Sequence, residues 1–182
     1  MNHATPTLSK SAGESLHDAD IERDVWMVLE SVADPEIPVL SIVDLGIVRY
    51  VRGPAGMDDS RLHVGVTPTY SGCPATEVIR QSVRTALDEA GYPDAVIEQV
   101  LSPPWTSEWL TEAGRRKLES FGIAPPVSSV SRPRYLLHAP LVACPRCASR
   151  QTERISEFGS TPCKAHYRCN SCLEPFDYFK CL

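Results

Sequence analysis

Two C-x-x-C pairs, Cys144-Pro-Arg-Cys147 and Cys169-Asn-Ser-Cys172, dictate what the last third of this chain can become. Such a pair closes a tight turn that aims both sulfurs at one centre, about 2.3 Å from a zinc ion. Two pairs supply four thiolates, which fill a tetrahedral shell. No position is left for water or substrate, so the metal is structural. A rubredoxin-like iron site would use the same ligands; the spacing here favours zinc. Cys163 and His166 form a competing C-x-x-H pair in the same segment. Paired C-x-x-C turns are the commoner arrangement and take precedence.

Between the pairs, Gln151–Phe158 reads as one strand, Gly159-Ser160 as a turn and Ala165–Cys169 as the return strand, with a third strand at Phe176, Tyr178 and Phe179. This is a zinc-ribbon pattern over residues 135–182. A segment of about fifty residues buries too little apolar surface to fold alone, so metal binding must supply the missing stability. Cys181 reads as a small packing hydrophobe. Thiols clustered in this way point to metal in a reducing compartment rather than to disulfides. The first ten residues hold no apolar run, and no stretch approaches the roughly 18 apolar residues of a membrane span. A cytoplasmic location with no membrane partner is therefore expected. Residues 132–182 carry eight basic and four acidic side chains, a charge of +4 that leaves −9 on the remainder of a chain whose net charge is −5. A surplus of that size is too small to argue for nucleic acid.

The preceding residues read as an α/β (α+β) unit, a small mixed sheet packed with helices. Residues 1–19 are polar and are expected to form a disordered tail. A helix from Asp20 carries Ile21, Val25, Val28, Leu29 and Val32 on one stripe and stops ahead of Asp34-Pro35. Ile42–Val51 and Arg61–Thr67 read as strands around a GPAGMDDS turn, with His63 facing outward and without a role. The helix after Pro74 buries Val78, Ile79, Val83, Ala86, Leu87 and Ala90 and ends at Gly91. Asp94–Leu101 is then a strand parallel to its predecessor, through a right-handed crossover. Trp105–Phe121 contains a further helix, capped by Thr106 or Ser107 and ended by Gly122. The Pro- and Ser-rich residues 123–134 read as a linker, which gives an N-terminal unit over 20–122 and a ribbon over 135–182.

Cys73 stands directly before Pro74 at the start of a helix, where unpaired N–H groups and the helix dipole stabilise a thiolate. Ser71-Gly72 allows close approach of the backbone. A reactive or metal-binding cysteine would be placed this way; a half-buried packing cysteine fits the spacing equally well. Asp34, Glu36 and Asp44 could converge on Cys73, or could cap turns. An iron–sulfur cluster needs four protein ligands. Cys73 alone cannot hold one, and would have to share it across a homodimer or hand it to a client. No histidine is placed to act as a base for Cys73, and there is no Glu-x-x-His ligand set for a di-iron site.

The stretch DPEIPVLSIVDLGIVR followed by TPTYSGCP resembles the SufT/MIP-type iron–sulfur assembly domain, whose pattern is an Asp-Pro-Glu loop and a Thr-x-x-x-Cys-Pro turn. Here these are Asp34-Pro35-Glu36 and Thr69–Pro74. With PPWTSEWLTEAGRRKLESFGIAPP and FGSTPCKAHYRCNSCLEPFDYFKC, residues 20–182 resemble the PaaD family, the D subunits of ring 1,2-phenylacetyl-CoA epoxidase systems. The resemblance implies an accessory, non-catalytic role in phenylacetate degradation. The expected partners are the oxygenase and reductase subunits of the epoxidase, the reductase carrying a 2Fe–2S cluster. It also implies a transient iron or iron–sulfur cluster at Cys73, with Asp34, Glu36 and Asp44 near it, and structural zinc at Cys144, Cys147, Cys169 and Cys172. Relatives tend to carry an apolar residue where His166 stands. A purely structural role in the complex is the alternative.

Overall fold

The structure, a computed structural model, describes residues 12–54, 60–70, 72–127 and 141–180, with 12–17 as backbone. Helix α1 (Ala12–Glu30) starts well before Asp20, inside the segment expected to be a tail; residues 1–11 lie outside the described residues. Its inward stripe is the expected one, with Val25 and Leu29 fully buried and Val32 buried just past its end.

The first sheet holds β1 (Val48–Arg52), β2 (His63–Val66) and β3 (Val96–Gln99), in that order. β1 and β2 run antiparallel. β2 and β3 run parallel, joined by α2 (Ala75–Glu89), as the strand–helix–strand pattern requires. The buried residues of α2 are Ala75, Ile79, Val83 and Leu87, one residue wide at four-residue spacing. Val78 is 50% exposed, so the apolar face is narrower than expected.

The expected strand at Ile42 begins only at Val48. Residues 41–46 fold as a turn instead, in which Ser41 N donates to Asp44 Oδ2 at 3.0 Å and Asp44 N to Ser41 Oγ at 2.9 Å. Gly46 closes it at φ +67°, pressed so near Trp109 that a Cβ would sit 2.5 Å from the Trp109 carbonyl oxygen. His63 does not face solvent; only 5% of it is exposed. The Tyr50 ring crosses over Gly65 and donates to Glu98, and Glu98 Oε1 lies 3.2 Å from His63 Nδ1. The outward-facing expectation for His63 is corrected: Tyr50 and Glu98 cover that side of β2.

The helix expected over Trp105–Phe121 is broken. A 3-10 turn (Ser107–Trp109) capped by Thr106 is followed by extended Leu110, then by α3 (Glu112–Phe121) capped by Thr111 and ended by Gly122. The break lets Thr111 N donate to the Asp44 carbonyl at 2.8 Å, which ties α3 to the turn at residues 41–46.

The linker is not wholly a linker. Its first residues form β4 (Ile123–Ala124), which pairs in parallel with β7 (Pro175–Phe179) of the ribbon. Residues 128–134 lie outside the described residues, as does Cys181, the expected packing cysteine. The second sheet has the order β4-β7-β6-β5, with β5 (Thr152–Ser156) and β6 (Lys164–Cys169) forming the expected hairpin. Two apolar cores result. The larger belongs to the N-terminal unit but includes Cys163 and Phe179 of the ribbon, and Phe179 meets Trp105 edge-on at 6.2 Å. The smaller packs Tyr167, Phe176 and Tyr178 against Cys144 and Cys169. No helix among the described residues is long and apolar enough to cross a membrane.

Candidate metal centre and thiol pocket

Cys144 and Cys147 sit in a turn ahead of β5, while Cys169 ends β6 and Cys172 follows in the turn to β7. The four sulfurs lie within 4.8 Å of one another. Cys144 and Cys172 are 3.7 Å apart, Cys147 and Cys169 3.6 Å. A tetrahedron with metal–sulfur bonds of about 2.3 Å has edges of about 3.8 Å, so the donor set fits zinc; a disulfide would need about 2.05 Å. Cys172 N points at Cys169 Sγ from 3.5 Å, and that backbone donor heads the causes that bring the Cys169 thiol down to about 6. Its neighbour Cys147 is pushed the other way, up to about 12, against the pull of the Ser149 backbone donor, so it is the four-sulfur geometry that supports a metal. These residues can hold a metal that closes the ribbon, and the coordination shell they offer is structural.

Cys163 and His166 do not join this cluster. His166 Nδ1 lies 3.3 Å from Asp177 Oδ1 across the β6–β7 pair. Cys163 turns the other way, out of the ribbon and into the N-terminal unit.

There it meets the other predicted residues. One pocket is lined by Asp34, Glu36, Thr69, Cys73, Cys163 and Phe179 among others. The Asp-Pro-Glu loop forms one wall. Asp34 Oδ1 accepts from Glu36 N at 2.9 Å and Ile37 N at 2.7 Å, and a buried carboxylate held by backbone donors is a turn-former. Burial nonetheless raises the Asp34 pKa, against the pull of those two donors and of Lys164. Glu36 extends to Cys163, whose Sγ donates to Oε2 at 3.7 Å, while Thr161 Oγ1 lies 3.0 Å from the same sulfur. Burial, with help from Glu36, pushes the Cys163 thiol up to about 11. It is neutral at pH 7.

The Cys73 wall comes from the turn before α2. Gly72 takes φ +83°, and Cys73 N donates to the Tyr70 carbonyl at 3.2 Å. Pro74 is the N-cap, so Cys73 stands one residue ahead of the helix end, as its sequence position indicates. The Tyr70 hydroxyl is buried, with Cys73 as its neighbouring hydrogen-bonding group. Burial and then the nearby Cys73, Glu36 and Cys163 push this phenol up to about 12.

Asp44 does not line that pocket. It binds Ser41, accepts from Thr111 Oγ1 at 3.2 Å and pairs with Lys117 Nζ at 2.5 Å. Burial opposes its ionisation, but the Lys117 and Ser41 donors outweigh this and hold its pKa below the ordinary value. Cys163, in the pocket, and Tyr70, beside Cys73, are the residues that sequence reasoning missed. Tyr70 lies inside the Thr69–Pro74 turn and could have been read from it. Cys163 has no local signal, because its pocket partner Glu36 is 127 residues away.

The architecture is a mixed sheet with a cysteine at a strand–helix turn, joined to a ribbon whose four cysteines can hold a metal. Comparison with known proteins agrees: residues 22–99 match the iron–sulfur cluster assembly protein family and residues 130–180 the PaaD zinc beta ribbon domain. The chain belongs to the family of 1,2-phenylacetyl-CoA epoxidase D subunits. It is 48% identical over 162 residues to the Escherichia coli (strain K12) protein named as the D component of 1,2-phenylacetyl-CoA epoxidase, covering 87% of this chain and 92% of that one. The N-terminal part is also 37% identical over 90 residues to the Fe-S protein maturation auxiliary factor YitW of Bacillus subtilis (strain 168), over 48% of this chain and 83% of that protein. Among solved structures, a domain of unknown function (DUF59) from Bacillus anthracis superposes with a TM-score of 0.50 at 26% identity, covering 57% of this chain and 96% of that one. The ribbon is what this chain adds to that shared domain.

Proposed function

We propose that this protein is an accessory maturation factor of a ring 1,2-phenylacetyl-CoA epoxidase. It loads iron or an iron–sulfur unit into the oxygenase–reductase complex and performs no catalysis of its own. Cys73 receives the cargo, and the zinc-closed ribbon provides the surface that meets the client. The observation that carries this reading is the placement of Cys73 in a pocket with Glu36 and Asp34, on a domain that matches iron–sulfur assembly proteins. The relatives' names support the two halves separately, one as an epoxidase component and one as a maturation factor.

The exposed apolar residues near the free edge of the ribbon sheet, Ile155 at 54% and Phe158 at 63%, favour a second reading in which the protein is a stoichiometric structural component of the complex. One experiment separates the two. The epoxidase is purified from cells lacking this protein and supplied with wild type or Cys73→Ser, and iron and labile sulfide are counted per complex. Maturation predicts a full complement with wild type and a several-fold deficit with Cys73→Ser. Equal iron in both, with the protein still bound to the complex, would leave only the structural role.

A further inference from the structure

Two residues that line the Cys73 pocket come from outside the assembly domain that contains Cys73. The matched domain spans residues 22–99, whereas Cys163 and Phe179 belong to the ribbon, on the loop that enters β6 and at the end of β7. Both are buried in the N-terminal core rather than in the ribbon's own core, at 4% and 1% exposure. They form one piece. Lys164, next to Cys163, is the register partner of Phe179 in the β6–β7 pair, and Lys180 N donates to the Cys163 carbonyl at 2.9 Å. The seat they occupy belongs to the N-terminal unit. Phe179 meets Trp105 edge-on, and the Trp105 indole N–H donates at 2.8 Å to the carbonyl of Leu45, itself a pocket residue. Cys163 Sγ donates to Glu36 Oε2 at 3.7 Å on the Asp-Pro-Glu loop. With both residues in place the cavity measures about 20 Å³, room for about one water.

We infer that the ribbon is a cap on the Cys73 pocket: Cys163 and Phe179 hold the pocket closed, and the end of the ribbon that carries them must lift from Trp105 and Glu36 before the pocket side of Cys73 can meet anything larger than a water. The inference rests on the proposed maturation role and adds a gate to it, because the unit that meets the client is also the piece that uncovers the cysteine. The joint is small enough to open by itself. Among the described residues, the strand pairing that ties the two units together is the two-residue β4 on β7, Ile123 with Asp177 and Ala124 with Tyr178. Local openings of this kind break a few buried contacts and cost less than global unfolding. Lifting the cap leaves the four-cysteine cluster whole, since Cys169 stands at the far end of β6 from Cys163, and Cys172 ahead of β7 while Phe179 ends it. A client that grips the ribbon can therefore draw Cys163 and Phe179 out of the pocket without disturbing the metal that holds the ribbon together.

The test uses full-length, zinc-loaded protein without the epoxidase, so the result does not depend on whether iron is delivered. Alkylation of Cys73, which is half-buried, is followed by peptide mass spectrometry with iodoacetamide and with the bulkier N-ethylmaleimide, while zinc per chain and circular dichroism confirm the fold. Phe179→Ala should raise the Cys73 rate about tenfold, because losing a buried ring lowers the cost of opening. Phe179→Leu, which keeps more of the volume and serves if the alanine variant does not fold, should raise it about threefold. In both, the gain should be larger for the maleimide, since a cap excludes by size. Phe176→Leu alters the ribbon's own core and should leave the rate at the wild-type value. Wild-type rates in both Phe179 variants would overturn the cap. Equal acceleration in Phe176→Leu would also overturn it, because the opening would then be loss of the ribbon's fold. Failure of the maturation reading shows instead in the iron count of the epoxidase, which these rates do not enter.

Discussion

Asp34 shows how a residue can be legible in type and still ambiguous in role. Asp ahead of Pro in a turn reads as a backbone acceptor, and Asp34 Oδ1 takes both the Glu36 and the Ile37 N–H. Its burial raises its pKa above the ordinary value. A carboxyl whose folded pKa is raised favours folding below its unfolded pKa, and that contribution is lost as pH rises through the folded value. Ionising Asp34 as pH rises is therefore a cost to folding. Asp34→Asn keeps an oxygen acceptor without the charge, so it should melt at or above wild type at pH 7, with the gap closing as pH falls toward 4. A lower melting temperature at pH 7 would contradict this assignment. Asp34→Ala removes both acceptor contacts and should cost about 1–3 kcal/mol in denaturant unfolding. His63 and Cys163 mark what alternation and spacing cannot reach. Their surroundings come from Tyr50 and Glu98 on neighbouring strands in one case, and from the Asp-Pro-Glu loop in the other.

At the scale of elements, the hairpin of the ribbon, α2 and the parallel β2–β3 pair all follow from apolar periodicity and from Pro or Gly at their ends. The errors lie where tertiary contacts override local pattern. Extended Leu110 splits one amphipathic stretch because Thr111 is wanted both as the α3 cap and as a donor to Asp44. Ile123–Ala124 leaves a Pro/Ser-rich segment to become a strand because β7 offers it a parallel edge. Thr111→Ala should lose the α3 cap and about 1 kcal/mol of stability, read as a lower denaturant midpoint with an unchanged slope. Phe179 ends β7 but is 1% exposed in the core of the N-terminal unit. Phe179→Ala should destabilise by about 3–5 kcal/mol and should loosen both parts together.

The whole molecule is two units on one continuous framework. The ribbon contributes Phe179 and Cys163 to the N-terminal core, and the N-terminal unit supplies β4 to the ribbon's sheet. Removing zinc should therefore reach beyond the ribbon. Structural zinc contributes on the order of 10 kcal/mol to small metal-dependent folds. A chelator at neutral pH should lower the melting temperature of the entire chain in one transition and change the emission of Trp105 as its contact with Phe179 loosens. Two separate transitions, with the upper one indifferent to chelator, would mean that the halves are independent. The class of the protein was readable from cysteine spacing and from the Asp-Pro-Glu and Cys-Pro turns. The joining of the halves was not, since it depends on pairs far apart in the chain, Ile123 with Asp177, Trp105 with Phe179 and Glu36 with Cys163.

In the proposed role, Cys73 passes iron to the epoxidase. The most direct measurement loads the purified protein with radioactive ferrous iron under anaerobic conditions, mixes it with iron-free oxygenase and reductase in the presence of a competing chelator, and follows the label. Label should reach the oxygenase or the reductase from wild type despite the chelator, and transfer from Cys73→Ser should fall to the level of free iron. Equal transfer from both forms, or none from either, would contradict the claim.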